Sequence, residues 1–400
     1  MKKLLVISMI FVMLLGLAGL ASASEKGKLL IWADDNRMDI VKELAGEFED
    51  DYGVPVEVQE KAFGDIRDSM RVEAPSGEGP DIIVGAHDWL GQLVVNGLIS
   101  PIDLSDMKDK FMDVSLNAFN WEGDIYGVPY SIESIGLIYN KDLVPTPPET
   151  FEEFAQIVRE QTNTEEEQYG FVMPQPDPFH TYPFLSAMGG YVFNKEGGSY
   201  DKFDIGLNNE GAVSGLKKLD KLYEDDLVPY IDYQTMMGLF QNGQAAMMVT
   251  GPWAFGGLQE AGIDYGFTQL PTMEGNTPKP FVAVQGFMIS AFSENKMLAQ
   301  AFLRNFVARK DTMVELYKKG NRPPVFKPAA EVAKDNADTA GVLKSASNGY
   351  PMPSIPAMNS VWAHWEDALE VILNQKQDVK PALDNAVESI EDSIKESANN

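Results

Sequence analysis

Between Leu29 and Val84, short apolar runs alternate with helical periodicity, and this alternation limits the fold more than any other feature of the chain. Residues 29–32 form one run, after which Ile40, Val41, Leu44, Ala45 and Phe48 fall on one helical face. Residues 54–58 form a second run, a helical stretch follows around Ile66 and Met70, and 82–84 form a third. Strand, helix, strand, helix, strand predicts an α/β fold with a mainly parallel sheet flanked by helices. The turn Ser76-Gly77-Glu78-Gly79-Pro80 punctuates the approach to the third strand.

A second unit is expected after Tyr126-Gly127-Val128-Pro129, with a strand over 136–139 and a helix over 151–158 behind a proline-rich turn. Val213, Leu216, Leu219 and Leu222 mark another amphipathic helix, and residues 245–249 a strand stopped by Gly251-Pro252. Later helices are expected over 299–307 and along Leu383, Ala386, Val387, Ile390 and Ile394. A chain of this length exceeds what one core holds, so two domains are expected.

The first residues read as an address. Lys2 and Lys3 precede an apolar run over 4–20, and Ala21 and Ala23 stand in the small-residue arrangement that signal peptidase reads, so 1–23 is expected to be a cleaved signal peptide. The remainder is expected outside the cytoplasm, in a periplasm. With 0 cysteines the chain has neither disulfides nor the thiol that a lipoprotein needs. Sixty acidic side chains against 32 basic ones disfavour nucleic acid as a partner, because nucleic acid is bound by neutralising phosphates.

In open α/β sheets, ligands bind beyond the carboxyl ends of the strands. There the chain offers Asp34, Asp35 and Arg37 after the first run, Phe63 after the second, Asp88 and Trp89 after the third, and Trp253 after Gly251-Pro252. Aromatic rings suit the C–H faces of a pyranose, while carboxylate and guanidinium groups suit its hydroxyls. Three rings each covering about 100 Å² would contribute roughly 7 kcal/mol before association costs, comparable to a micromolar affinity. Plainer roles compete: Asp34, Asp35 and Asp88 can cap helices, and Trp32 can be core. The histidines His87, His180 and His364 have no metal-binding spacing, and neither a phosphate loop nor a nucleophile elbow occurs. No cofactor or metal is expected.

The stretch Tyr126-Gly-Val-Pro-Tyr-Ser-Ile-Glu-Ser-Ile-Gly-Leu-Ile-Tyr-Asn-Lys-Asp142 resembles the crossover segment of extracellular solute-binding proteins of carbohydrate transporters. Gly79-Pro-Asp-Ile-Ile-Val-Gly-Ala-His-Asp88, Gly243-Gln-Ala-Ala-Met-Met-Val-Thr-Gly-Pro-Trp253 and Met352-Pro-Ser-Ile-Pro-Ala-Met358 resemble the maltose- and maltodextrin-binding members. The resemblance implies a type II two-lobed binding-protein fold. One lobe would take 24–131 and 287–331, the other 136–281 and 338–400, with hinges near 132–135, 282–286 and 332–337. It implies no enzymatic activity, a malto-oligosaccharide ligand, a membrane permease of an ABC importer as partner, and a monomer. Residue by residue it implies ligand roles for Arg37, Asp88, Glu133, Asp177, Phe179, Tyr233, Trp253, Met352 and Trp362.

Two departures bear on specificity. Gly85 stands where some relatives carry a stacking tryptophan, and Trp89 replaces an arginine four residues on, so Trp89 joins the candidates. Glu366 stands where an arginine is expected. Asp35, Phe63 and Trp365 are further candidates from spacing. The alternatives are a receptor for trehalose or another disaccharide, a secreted glycoside hydrolase, and a capture protein for polyamines.

Overall fold

The computed structural model describes residues 27–197 and 199–397; the expected signal peptide lies outside the described residues. Leu29–Ala33 and Ile82–Ala86 are buried along their whole length and pair in parallel, as strands covered on both faces do. Val56–Glu60 pairs with Leu29–Ala33 at the sheet edge and is only half-buried. Helix Asp35–Tyr52 covers one face through Met38, Val41, Leu44, Ala45 and Phe48, and ends where Gly53 takes the left-handed conformation, φ 68°.

Strand Val128–Ser134 lies in this first sheet, and after Ile135 the chain continues as Gly136–Asn140 in a second one. The ten-residue strand Phe281–Ser290 returns antiparallel to both Val128–Ser134 and Ile82–Ala86. A third passage follows, in which Pro324 bridges to Ser131, the Ser345 hydroxyl donates to Ile135 O at 2.6 Å, and Tyr350–Pro351 pairs with Phe281 and Val282.

Two large cores flank these passages. One gathers residues from Leu29 to Tyr130 and from Val284 to Ala329. The other gathers Ile135, Leu137, the face of helix Glu210–Glu224 and the C-terminal helices through Ile394. The second sheet differs from the parallel arrangement expected. Met247–Thr250 and Tyr265–Thr268 both run antiparallel to Gly136–Asn140, and its parallel part is confined to isolated bridges such as Val172 with Met248. Gly136–Asn140 leads directly away from the crossover, so neighbours that carry the chain back toward it must oppose it. The consequence is functional: Thr250 pairs with Gly136, which delivers Gly251-Pro252-Trp253 to the gap between the cores.

Candidate ligand-binding cleft

The first wall is built on charge. Asp34 follows Leu29–Ala33, and Arg37 lies one helical turn further on; both are buried. The Arg37 guanidinium pairs with Asp34, donates from Nε to the Tyr130 hydroxyl at 2.8 Å, and reaches Glu133 Oε1 at 3.3 Å. Its plane lies over Phe63, 5.1 Å from the ring centroid. Glu133 also pairs with Arg322 and accepts from Gln285 Nε2 at 2.7 Å. Two buried carboxylates therefore meet two buried guanidinium groups, which is the condition under which burying any of them is tolerable. Asp34 caps nothing, contrary to the plainer reading: Oδ2 is taken by Arg37, and no N–H of the helix start reaches Oδ1. Asp35 is exposed at the rim and binds Asn36. Among the described residues, Asp34 Oδ1, Ser131 Oγ and Gln285 Oε1 are buried without a protein partner. A cavity of about 10 Å³ beside Arg37, Tyr130 and Arg322 has room for one water.

Beyond Ile82–Ala86 a short 3-10 turn carries His87, Asp88 and Trp89, all buried. A side chain at Gly85 would run into the Trp89 ring, so Trp89 covers the backbone at Gly85, the position where a tryptophan was expected from the resemblance. It meets Phe63 at 4.7 Å between centroids. His87 Nδ1 accepts from the Val284 N–H at 3.1 Å, and Nε2 lies 3.1 Å from Met352 O, to which it donates. Burial lowers the His87 pKa to about 4, so the ring is neutral. Asp88 is not a helix cap; burial raises its pKa to about 6 against the opposing pull of Arg67 and of a hydrogen bond from Trp362. His87 and Met352 come from segments 265 residues apart, so the two walls touch at that hydrogen bond.

The second wall is mainly aromatic. Trp253 folds back over Gly251 as Trp89 does over Gly85. Phe179 lies 6.1 Å from Trp253 and 5.8 Å from Phe281, and Phe281 lies 5.7 Å from Trp362. Asp177 caps helix Pro178–Ala187 through the His180 N–H at 3.0 Å and takes His180 Nδ1 at 2.7 Å. Tyr233 is half-buried at the start of helix Tyr233–Gln241, and burial raises its pKa to about 12 against the opposing pull of Thr250, Arg322 and Trp253. Met352 is buried and contributes its carbonyl to His87.

Trp365 requires a correction. It is fully buried in the second core, edge-on to Tyr182 at 6.0 Å, and does not line the cleft. It shares a helical stripe with Val361, Ala368 and Leu369, whereas Trp362 lies off that stripe. Tyr130, Gln285 and Arg322 on the first wall, and His180 and Thr250 on the second, were not singled out from sequence as site residues, and Asp34 was weighed there against a helix cap. Among the described residues no group of three or more His, Asp or Glu side chains could hold a metal ion, and no helix is long and apolar enough to cross a membrane.

Two large cores joined by three passages of chain are the architecture of a two-lobed binding protein. Residues 43–342 match the family of bacterial extracellular solute-binding proteins, and the chain belongs to that family. It is 33% identical over 389 residues to a galactooligosaccharide-binding protein of Bacillus subtilis, covering 94% of this chain and 91% of that one. It is 29% identical over 378 residues to a maltotriose-binding protein of Pyrococcus abyssi, covering 91% and 82%. A maltodextrin-binding protein of Bacillus subtilis is 29% identical over 390 residues, covering 94% and 92%.

Proposed function

We propose that the chain is the capture component of a carbohydrate ABC importer and that it closes around a neutral oligosaccharide of the maltotriose class. The observation that carries this reading is the gathering of aromatic rings where the two cores meet, Trp89 against Phe63 and Phe179 against Trp253, with Phe63 packed against both cores, beside buried charges already neutralised in pairs. Rings of this kind cover sugar faces, and a wall whose charges are paired has no net charge to offer an ionic ligand. The lobes are taken as 24–131 with 287–331, and 136–281 with 338–400, so that ligand favouring the closed state draws them together. The partner is a membrane permease that reads the closed form of an exported, monomeric protein.

Binding without hydrolysis is supported by the state of Glu133. A glycosidase needs two carboxyl groups flanking the scissile bond, and Glu133 is held by Arg37, Arg322 and Gln285. A second reading, a galacto-oligosaccharide ligand, is favoured by the name of the 33% identical relative and by the altered placement of Trp89. Tryptophan fluorescence titrated with maltotriose, β-1,4-galactotriose and trehalose, with product analysis on the same samples, decides between them. A saturable response to maltotriose without cleavage is expected. Preference for galactotriose moves the assignment to the second reading, and a cleaved product overturns both.

A further inference from the structure

Residues 87–93 carry Trp89, and residues 352–358 lead into the helix that carries Trp362; two contacts of different kinds hold these segments together. The first is polar. His87 Nδ1 accepts from the Val284 backbone N at 3.1 Å, and Nε2 lies 3.1 Å from Met352 O. A backbone N–H can only donate and a carbonyl can only accept, so the neutral ring is held as the Nε2–H tautomer. One buried imidazole therefore ties the second passage, through Val284, to the segment that follows the third.

The second contact is steric. Gly91, in helix Leu90–Val95, lies so close to 354–356 that a Cβ there would stand 2.3 Å from Ser354 O and 2.8 Å from the Pro356 ring. Neither is the end of a flexible side chain, so neither can step aside. Leu90 and Leu93, on either side of Gly91, belong to the first core, whereas Ala357 and Met358 belong to the second. The contact is thus one between lobes. Trp89 sits between His87 and Gly91, and helix Asn359–Leu369, which bears Trp362, begins directly after Met358. A tryptophan therefore hangs on each side of the same contact.

We propose that His87 and Gly91 are positioning residues: they dock 352–358 of the second lobe onto the end of Ile82–Ala86 in the first, and this docking sets the separation of Trp89 from Trp362. The ligand part of this inference rests on the oligosaccharide reading above; the docking does not. Rings on opposite walls grip a sugar well at one separation only, because a gap of about 1 Å forfeits up to about half of the dispersion attraction. Gly91 contributes to affinity in this way without touching the ligand.

The Gly91→Ala variant separates such a role from packing inside one lobe. Alanine is the better helix former, so the helix itself is not weakened. The added methyl meets the second lobe, and the clash is relieved when the lobes part. The expected result is an unfolding midpoint no lower than that of the unaltered protein. X-ray scattering without ligand should show a larger radius of gyration, and maltotriose affinity should fall about tenfold. The His87→Gln variant keeps an amide donor for Met352 O and should retain more affinity than His87→Leu, which keeps neither bond. Nitrogen NMR of the 3 histidines reads the tautomer directly, and Nε2–H is expected for His87. An earlier unfolding midpoint for Gly91→Ala with affinity unchanged overturns the proposal, since Gly91 would then serve packing alone. Unchanged scattering overturns it as well, as does an Nδ1–H tautomer at His87. Should the unaltered protein bind none of the three sugars, the oligosaccharide reading fails, while the scattering of Gly91→Ala still decides the docking.

Discussion

The two walls of the cleft solve the same problem, polar groups next to a ligand, in opposite ways. The first wall uses full charges and consumes them internally: Asp34, Arg37, Glu133 and Arg322 pair with one another across segments that lie far apart in sequence. Glu133 comes from the first passage between lobes, Gln285 from the second, and Arg322 from the third, so one carboxylate joins all three. The second wall uses hydroxyls, an imidazole and rings, with the Asp177 carboxylate held by His180. The difference separates two duties. On the function proposed above, the charged wall holds the passages together through paired charges, while the aromatic wall follows the ligand's hydroxyls and faces.

If that division holds, the largest effect on stability belongs to the first wall. Glu133→Ala leaves Arg322 buried without its carboxylate partner and Arg37 with Asp34 alone, and a loss of about 3–5 kcal/mol in denaturant unfolding is expected. Glu133→Gln should recover part of this through hydrogen bonding. A loss below about 1 kcal/mol for the alanine variant would mean that the carboxylate is not the junction of the three passages.

On the second wall the balance is reversed. Trp253→Ala removes a half-buried ring from the cluster with Phe179, and is expected to weaken maltotriose binding by about a hundredfold, as loss of a central aromatic anchor does. Its cost to unfolding should be well under that of Glu133→Ala. Calorimetric titration beside a denaturant curve tests both halves; equal stability losses on the two walls would dissolve the contrast.

How much of this arrangement was legible in sequence follows the same line. Apolar runs and periodicity located Leu29–Ala33, Ile82–Ala86, helix Phe151–Gln161 and helix Glu210–Glu224, because those elements bury their patterned faces. Periodicity says nothing about strand direction, and the second sheet's antiparallel order escaped it. The resemblance pointed to Trp253, Trp362 and Glu133. It could not show that Glu133 is taken up by Arg322, 189 residues away, because that is a property of tertiary contact. His180 and Thr250 escaped for the same reason, being 70 residues apart. The placement of Trp365 was within reach: its four-residue spacing from Val361 and its alignment with Ala368 and Leu369 mark a core stripe.

Neighbouring groups on the first wall give a finer prediction. Asp88 has its pKa raised to about 6 by burial, so the folded protein holds a proton there that the unfolded chain has lost, and this contribution to stability declines as pH rises through about 6. His87, lowered to about 4 by burial, works the other way: the unfolded chain takes the proton first, and stability declines as pH falls from about 6.5 toward 4. The two slopes oppose each other, each being at most about 1.4 kcal/mol per pH unit for one proton. Asp88→Asn removes one of them. The variant should be the more stable protein at pH 7, and the difference should shrink on acidification to pH 4. A constant difference across that range would mean that burial does not hold the Asp88 pKa above its ordinary value.

The smallest effect expected is also the one that separates ligand classes. Asp35 is the exposed carboxylate at the rim, close enough to Tyr233 for its charge to be felt. Exposed charges are screened beyond about 10 Å at 0.1 M salt and about 3 Å at 1 M. A neutral sugar bound by rings and hydroxyls has no charge for Asp35 to attract. Asp35→Asn should therefore change maltotriose affinity less than about twofold, as should raising salt from 0.1 M to 1 M. A cationic ligand drawn to this acidic chain, net charge −28, would lose affinity steeply in both experiments. A flat response locates recognition in the aromatic wall and leaves the charges of the first wall with the hinge. A steep one would return the charged wall to ligand binding, and the contrast between the two would have to be drawn again around the unpaired valences of Asp34 and Gln285.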